Sequence, residues 1–343
     1  MQIKQLFVYP IKSLRGCSLQ ETVLTRSGFP YDRCFMLLKV ETDDQGNRKP
    51  RNMHVPHFPE MALFLTDLVL PNSEDPNGKI IVTYQIPPVS EKKGTRTLEV
   101  PLQPDVDGLE ELELTMHRSS TTGYNMGSRY NDWFSECFGY PVILAYIGQN
   151  RRRVLGSMAP SAQNDANGGF LSSIIPFLGK KADDDTVLTF ADCAAYLVVS
   201  ETSVNDVSSR LDDGYEMDVT KFRPNIVVSG AERPWEEDFW GEIAVGESGA
   251  RIALTSNCVR CVSINVSYET GTHGKTENEQ VYKKLTKDRR VDKGAKYNPV
   301  FGRYGFLNGN GIVPIRVGDS VEVTRTLNER TTFDWPGLAS SSR

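Results

Sequence analysis

The chain has 343 residues, with 39 Lys and Arg against 44 Asp and Glu, for a net charge of -5. That length can bury a large core, as one big domain or two to three smaller ones, and the acidic balance excludes nucleic-acid binding as a global property. No apolar run approaches the ~18 residues a membrane span needs, and "MQIKQLFVYPIKS" lacks the apolar stretch of a signal peptide, so the sequence reads as intracellular without a transmembrane span.

In chain order, "IKQLFVYPIKS" alternates as a strand whose Pro10 marks an edge or end. "RCFMLLKV", "MALFLTDLVL", "GKIIVTYQI", "RTLEVPL" and "LELTMH" continue a short-strand series with turn residues between, which predicts a β-barrel or sandwich in the first third. "GYNMGSRYNDWFSECFG" has apolar residues at helical spacing and ends in Gly139, predicting a helix over 127–138. Residues 151–187 break the composition with a basic triplet, an Asn/Gly/Ala stretch and an acidic triplet. We expect a long loop there, and its "FLSSIIPFLG" is either folded onto the protein's own surface or a lid or membrane-touching segment, with Pro176 opposing a long helix. "AYLVVSETSVNDVSSRL" reads as a strand and then a helix capped near Ser200 or Thr202. "FRPNIVVSG", "EIAVG", "RIALTS", "VSINVSY" and "DSVEVTRT" read as at least five more strands. The fold class expected is mostly β with some α, with domains at 1–146 and 191–330 joined by a variable segment at 147–190.

Six cysteines (17, 34, 137, 193, 258, 261) are too few and scattered for a disulfide framework. Cys17, Cys34, Cys137 and Cys193 sit among apolar or aromatic neighbours, as structural cysteines do. The pair in "CVRC", Cys258 and Cys261, admits four readings. A closed zinc site lacks partners, since there are four histidines (54, 57, 117, 273) and no second Cys-x-x-Cys. A redox dithiol usually opens a helix, whereas strand patterns flank this pair. A structural pair and a single metal-binding thiolate, with Arg260 nearby to favour ionisation, remain open. Lys12, Ser13, Arg33, Arg223 and Asn225 are donors at strand ends that together would suit an anionic ligand bearing a phosphate, though each alone is an ordinary strand-end residue.

At these residues the sequence resembles the MOSC family and, within it, the amidoxime-reducing component branch. "VYPIKSLRG", "YDRCFML", "FRPNIVVSG", "CVRC" followed by "ETG", and "NPVFGRYGF" are similar to family segments and occur in the same order. The resemblance implies an N-terminal MOSC β-barrel-like domain packed with a C-terminal MOSC β-barrel domain. It also implies a molybdenum cofactor of molybdopterin type, the metal held by the pterin dithiolene and by one protein cysteine. By position Cys261 is that catalytic metal ligand and Cys258 its companion, while Lys12, Ser13, Arg33, Arg223, Asn225 and Arg260 hold pterin and phosphate and Tyr304 lines the site. Pyridoxal phosphate binding is a further family-level association.

This sequence departs from the family at three places. Cys193 and Ala194 stand where a Thr-Ser pair is common, Val259 where a Ser is typical, and Asn52-Met53-His54 where a Thr-x-Arg segment is usual. A changed substrate pocket or anion specificity is the expected consequence. The implied activity is reduction of small N-hydroxylated substrates, amidoximes or hydroxylamines. No cysteine follows Cys261, so the sequence offers no ligands for a fused iron-sulfur domain beyond it. A b-type cytochrome backed by a flavin reductase is the implied electron supply, and a cytoplasmic or mitochondria-associated location the expectation. The alternative from a different class is a cofactor carrier or sulfur-handling module, as in molybdenum-cofactor sulfurases. "AERPWEEDFWGE" is a docking surface or a solvated acidic face.

Overall fold

The computed structural model describes residues 1–73, 75–160, 186–212 and 214–339. Chain order gives β1 (Gln2–Val8), β2 (Cys17–Leu19), β3 (Glu21–Leu24), β4 (Phe35–Thr42), β5 (Arg48–Asn52), β6 (Phe64–Val69), β7 (Lys79–Gln85) and β8 (Thr95–Pro101). After β9 (Glu111–Met116) and β10 (Ser119–Asn125) come α1 (Ser128–Phe138), β11 (Val142–Tyr146), β12 (Arg152–Arg153) and β13 (Val187–Leu188). Then follow β14 (Tyr196–Ser200), α2 (Glu201–Ser209), β15 (Ile226–Ser229), β16 (Trp240–Val245) and β17 (Ala250–Val259). The short α3 (Val281–Leu285) precedes β18 (Val300–Leu307), β19 (Val313–Arg316) and β20 (Val321–Thr326).

The fold is mostly β with few helices, a nearly closed barrel in the N-terminal region and a curled sheet in the C-terminal region. The largest sheet has eight strands in the order β2-β1-β15-β14-β18-β17-β16-β20; a second runs β5-β4-β11-β10-β9 and a third β6-β7-β8. The first strands of the chain thus close the edge of a sheet otherwise built from residues 196–326. In that sheet β14 and β15 pair in parallel, so the chain must cross over between them, and α2 makes the crossover.

The expected helix forms because Tyr130, Trp133, Phe134, Cys137 and Phe138 share one face. It stops at Gly139, whose φ of 78° and whose N–H on the Ser135 carbonyl at 2.8 Å make the left-handed C-terminal cap. The apolar face closes on Phe64, with ring centroids 4.7 Å from Phe138 and 5.8 Å from Phe134.

Three local expectations need correction. "VSINVSY" is not a strand: Val262–Asn265 is a turn of 3₁₀ helix with Cys261 at its N-cap, its Ile264 buried and Val262 exposed. The strand pattern on the C-terminal side of the cysteine pair is therefore absent. Ser200 is the N-cap of α2 by backbone position, but its side chain makes no capping bond and its hydroxyl is buried without a partner among the described residues. Finally β18, central in the large sheet, escapes alternation analysis because Gly302 and Gly305 interrupt it. A Cβ at either position would meet β14 or β17 side chains at 2.7 to 2.9 Å, so close packing excludes larger residues there. Most of the 151–187 segment, including "FLSSIIPFLG", lies outside the described residues; its ends are paired through β12 and β13. Among the described residues no helix is long and apolar enough to cross a membrane.

Two of the contacts that join the sheets frame the site. At the first, the chain after β1 lies beside the start of β4: Lys12 N–H donates to Phe35 O at 2.7 Å, and Phe35 N–H returns to Pro10 O at 3.1 Å. Asp32 sits at this joint, 2 % exposed, accepting from Tyr9 N–H at 2.8 Å and from Asn225 Nδ2 at 3.1 Å while ion-paired to Arg33. At the second, the C-terminal tail crosses from the large sheet to the β9–β10 turn: Phe333 N–H donates to Asp292 at 2.9 Å, and the fully buried Trp335 donates Nε1–H to His117 O at 2.6 Å.

Removing one partner from a buried ion pair leaves an uncompensated charge, so Asp32→Ala is expected to lower stability by about 3–5 kcal/mol in urea melts. Trp335→Ala, which opens a cavity, is expected to lose a comparable ~3–5 kcal/mol. A loss below about 1 kcal/mol in either variant would show that its joint does not hold the sheets together.

Candidate functional site

A cavity of about 480 Å³ opens where the two joints meet. It takes Lys12 and Ser13 from the end of β1, Arg33 from the entry to β4, and Arg223 and Asn225 from the entry to β15. Arg260 and Cys261 come from the end of β17, and Tyr304 comes from β18. All eight residues singled out from the sequence therefore line one wall system, although they span nearly the whole chain. Val259, Cys193 and Ala194 line it too, at the places where this sequence carries no hydroxyl.

Three of these residues hold strained backbone: Ser13, Arg33 and Arg223 have φ of 71°, 49° and 58°. Non-glycine residues in the left-handed region cost about 1–3 kcal/mol each and persist where surrounding contacts enforce them. For Arg33 and Arg223 those contacts are visible. Arg33 donates to Asn225 Oδ1 and to the Arg223 carbonyl, both at 3.1 Å, and Arg223 donates to the Leu14 carbonyl at 2.6 Å. Both guanidinium groups stack on Tyr9, at 4.5 and 4.4 Å from its ring centre. Burial, and then the neighbouring Arg33 charge, disfavour the charged form of Arg223. Its Nη2 is buried with no hydrogen-bond partner among the described residues. Two crowded guanidiniums with an orphaned donor fit an anionic ligand, which would satisfy the donor and offset the repulsion.

Asn225 has a different part. Its Oδ1 accepts from Leu197 N–H and Arg33, and its Nδ2 donates to Phe7 O at 3.3 Å and to Asp32, so its amide is fully engaged by protein groups. It positions Arg33 rather than offering free donors to the cavity.

The cysteine pair divides in the same way. Cys258 is 3 % exposed and lies 2.7 Å from Arg260 Nη1, whose other terminal nitrogen donates to the Phe222 carbonyl. The guanidinium that the sequence suggested would favour a metal-binding thiolate thus sits on Cys258. Cys261 is the exposed cysteine of the six, with Ser263 Oγ at 3.1 Å. Burial holds four thiols outside the pair protonated: Cys17 and Cys34 are pushed up to about 12, Cys137 to about 11, and Cys193 well above its ordinary value. Among the described residues no group of three or more His, Cys, Asp or Glu side chains is placed to hold a metal, so the pair forms no closed zinc site. Both cysteines are free thiols.

Sequence reasoning missed the opposite wall. His54, His57 and His117 line the cavity together with Asp192. Lys12 ion-pairs with Asp192 Oδ1 and donates to Phe190 O at 3.0 Å, and His117 Nε2 meets the same Asp192 oxygen at 3.2 Å. His54 lies face to face with His117, centroids 6.0 Å apart. Burial would raise the Asp192 carboxyl, but Lys12 and His117 hold it well below the usual range. Burial, then Lys12, push His54 down to about 3, so it is neutral at physiological pH. Tyr304, raised by burial and then by Cys258, remains a phenol. The only signal available beforehand was His54 standing in a segment that departs from the family pattern; His117 lay inside a strand pattern.

Comparison with known proteins agrees with this architecture. Residues 1–141 match the MOSC N-terminal beta barrel domain and residues 185–322 the MOSC domain. The chain is 27% identical to mouse mitochondrial amidoxime-reducing component 1 over 326 residues, covering 93% of this chain and 81% of that protein. It is 25% identical to rat mitochondrial amidoxime reducing component 2 over 93% of this chain and 82% of that protein. Rice molybdenum cofactor sulfurase is 28% identical over 79% of this chain, but the match spans just 29% of the sulfurase. With both domains matched in order over most of its length, the chain belongs to the MOSC family, with amidoxime-reducing components and molybdenum cofactor sulfurases among its relatives.

Proposed function

We propose that the chain binds a molybdenum cofactor and reduces small N-hydroxylated substrates, amidoximes or hydroxylamines, with electrons from a separate donor. The observation that carries the reading is the exposed Cys261 thiol on a cavity whose facing wall holds Arg33 and the orphaned donor of Arg223. A soft sulfur ligand beside an anion site matches a metal group that carries both thiolate chemistry and a phosphate. When bound, the cofactor supplies the two-electron, oxygen-abstracting chemistry.

The protein's share of the work follows from the contacts. Cys261 gives the ligand sulfur. Arg33 and Arg223, with Lys12 and Ser13 beside them, hold the anionic part, and Asn225 with Asp32 keeps Arg33 aimed. Arg260 anchors Cys258 to the Phe222 carbonyl and so fixes the loop that presents Cys261. Tyr304 supplies a neutral polar wall. A b-type cytochrome with a flavin reductase is the electron supply we attach to this reading, since two relatives matched over most of their own length are amidoxime-reducing components. A cytoplasmic or mitochondria-associated location belongs to the same reading. Pyridoxal phosphate binding forms no part of this reading.

The sulfurase relatives support a second reading, a module that carries or presents the cofactor without reducing substrate. The two readings separate on turnover. Protein from a host that makes the cofactor is expected to carry near-stoichiometric molybdenum and to reduce benzamidoxime with a chemical or protein reductant. Molybdenum without turnover under any donor would favour the carrier, and neither metal nor pterin would rule out both.

Two substitutions sharpen the test. In Cys261→Ala, turnover is expected to fall to background, since the metal loses its protein ligand; retained activity would contradict the assignment. In Arg223→Ala, loss of a charge-assisted hydrogen bond, about 1.5–3 kcal/mol, is expected to weaken cofactor retention roughly 10- to 100-fold. Turnover per bound molybdenum is expected to change far less, and a variant with full metal and no activity would show that Arg223 acts in the chemistry instead.

A further inference from the structure

The hairpin joining β9 to β10 breaks the rules of its own turn. Ser119 pairs directly with Met116, leaving His117 and Arg118 as a two-residue loop with φ of 49° and 64°. Two central residues at positive φ are the requirement of a type I′ turn, for which Asn-Gly or Asp-Gly is strongly favoured. Histidine and arginine are held there against that preference. The tail enforces the position, because Trp335 donates to the His117 carbonyl at 2.6 Å. Arg152 supports the same corner, donating to Met116 O at 3.3 Å and to Asp192 O at 3.1 Å. A local rule broken at a cavity wall, and stabilised from two other elements, marks a side chain kept for what it does there.

We propose that His117, oriented by Asp192, is the group that delivers a proton to the departing oxygen of the N-hydroxylated substrate. This inference rests on the reductase reading. Cleaving the N–O bond of an amidoxime takes two electrons and two protons: the N–O bond breaks, an N–H and an O–H bond form, and amidine and water leave. The electrons come from the separate electron-transfer protein. Negative charge develops on the oxygen as the N–O bond breaks, so a proton donor placed there lowers the barrier.

Several of the groups facing His117 are ill suited to be the donor. Asp192 is held as the carboxylate by Lys12 and His117 and has no proton to give. His54, lying over the His117 ring with His57 behind it, is kept neutral by burial and Lys12. Tyr304 is pushed well above its ordinary range by burial and then by Cys258, which makes its phenol a far weaker acid than an imidazolium. Arg118 and Arg152 are guanidiniums, effectively always protonated. A carboxylate at 3.2 Å from Nε2 orients the ring, as in other carboxylate–histidine pairs. The acting form is the imidazolium, which keeps its Nε2–H on Asp192, gives up its Nδ1 proton to the substrate oxygen and is reprotonated from water.

The test uses His117→Asn in the cofactor-loaded chain, with Arg118→Gly beside it. Asparagine and glycine both suit a type I′ turn, so each variant is expected to fold at least as stably as the parent. His117→Asn is expected to lose about 100-fold or more in kcat for benzamidoxime at unchanged molybdenum content, with KM little changed and partial rescue by added imidazole. Arg118→Gly is expected to keep parental turnover. A readout independent of turnover is the imidazole 15N NMR of cofactor-free protein, where the parent is expected to show the His117 Nε2–H hydrogen-bonded to a carboxylate and Asp192→Asn to lose that signature. Parental turnover in His117→Asn with an unaltered pH profile would overturn the proposal while leaving the reductase reading intact. A loaded parent that reduces no N-hydroxylated compound would overturn both.

Discussion

One buried carboxylate organises this molecule. Asp32, 2 % exposed, reaches the backbone of β1 through Tyr9, the guanidinium of Arg33 and the amide of Asn225. Those three partners belong to the end of the first strand, the entry to the barrel strand β4 and the entry to β15. A buried charge that satisfies three chain segments at once is stable only if all three arrive together, so the joint between the sheets and the floor of the cavity are the same construction. The strained φ values of Arg33 and Arg223 follow from it, because each is bent to meet partners fixed by that joint.

The cavity built on this joint is divided chemically. One wall gathers Arg33 and Arg223 around Tyr9 and ends at the exposed Cys261. The other gathers Lys12, His54, His117 and Asp192, where burial and then Lys12 keep His54 neutral while Lys12 and His117 hold Asp192 as the carboxylate. The cysteine pair shows the same economy of position: three residues apart in sequence, one sulfur is buried against Arg260 and the other opens to the cavity. Spacing made the two equivalent; the end of β17 and the 3₁₀ turn after it make them different.

The parts of this account legible in the sequence are those carried by local pattern. Alternation exposed most strands, helical spacing ending in Gly139 exposed α1, and the family-like segments placed Lys12, Ser13, Arg33, Arg223, Asn225, Arg260, Cys261 and Tyr304 together before any coordinates. What stayed hidden depended on contacts between distant segments. Val262–Asn265 alternates like a strand yet turns as 3₁₀ helix, because Cys261 leaves the ladder and Ile264 and Asn265 are drawn into the interior. The central strand β18 carries glycines that read as breaks, though they are demanded by its neighbours. His117 occupies a hairpin tip without the Asn-Gly signature, so nothing local marks a turn there, and its partners Asp192 and Trp335 lie 75 and 218 residues away. Asp32 was passed over beside Arg33 for the same reason: its importance lies in Tyr9 and Asn225, which only folding brings to it.

The central claim is that Cys261, and not Cys258, presents its sulfur to the metal. The most direct measurement is X-ray absorption at the molybdenum edge on loaded protein and on the Cys261→Ala and Cys258→Ala variants. The expected result is the loss of one sulfur from the first coordination shell in Cys261→Ala, with the shell of Cys258→Ala unchanged. An unaltered shell in Cys261→Ala, or the loss appearing in Cys258→Ala instead, would contradict the account.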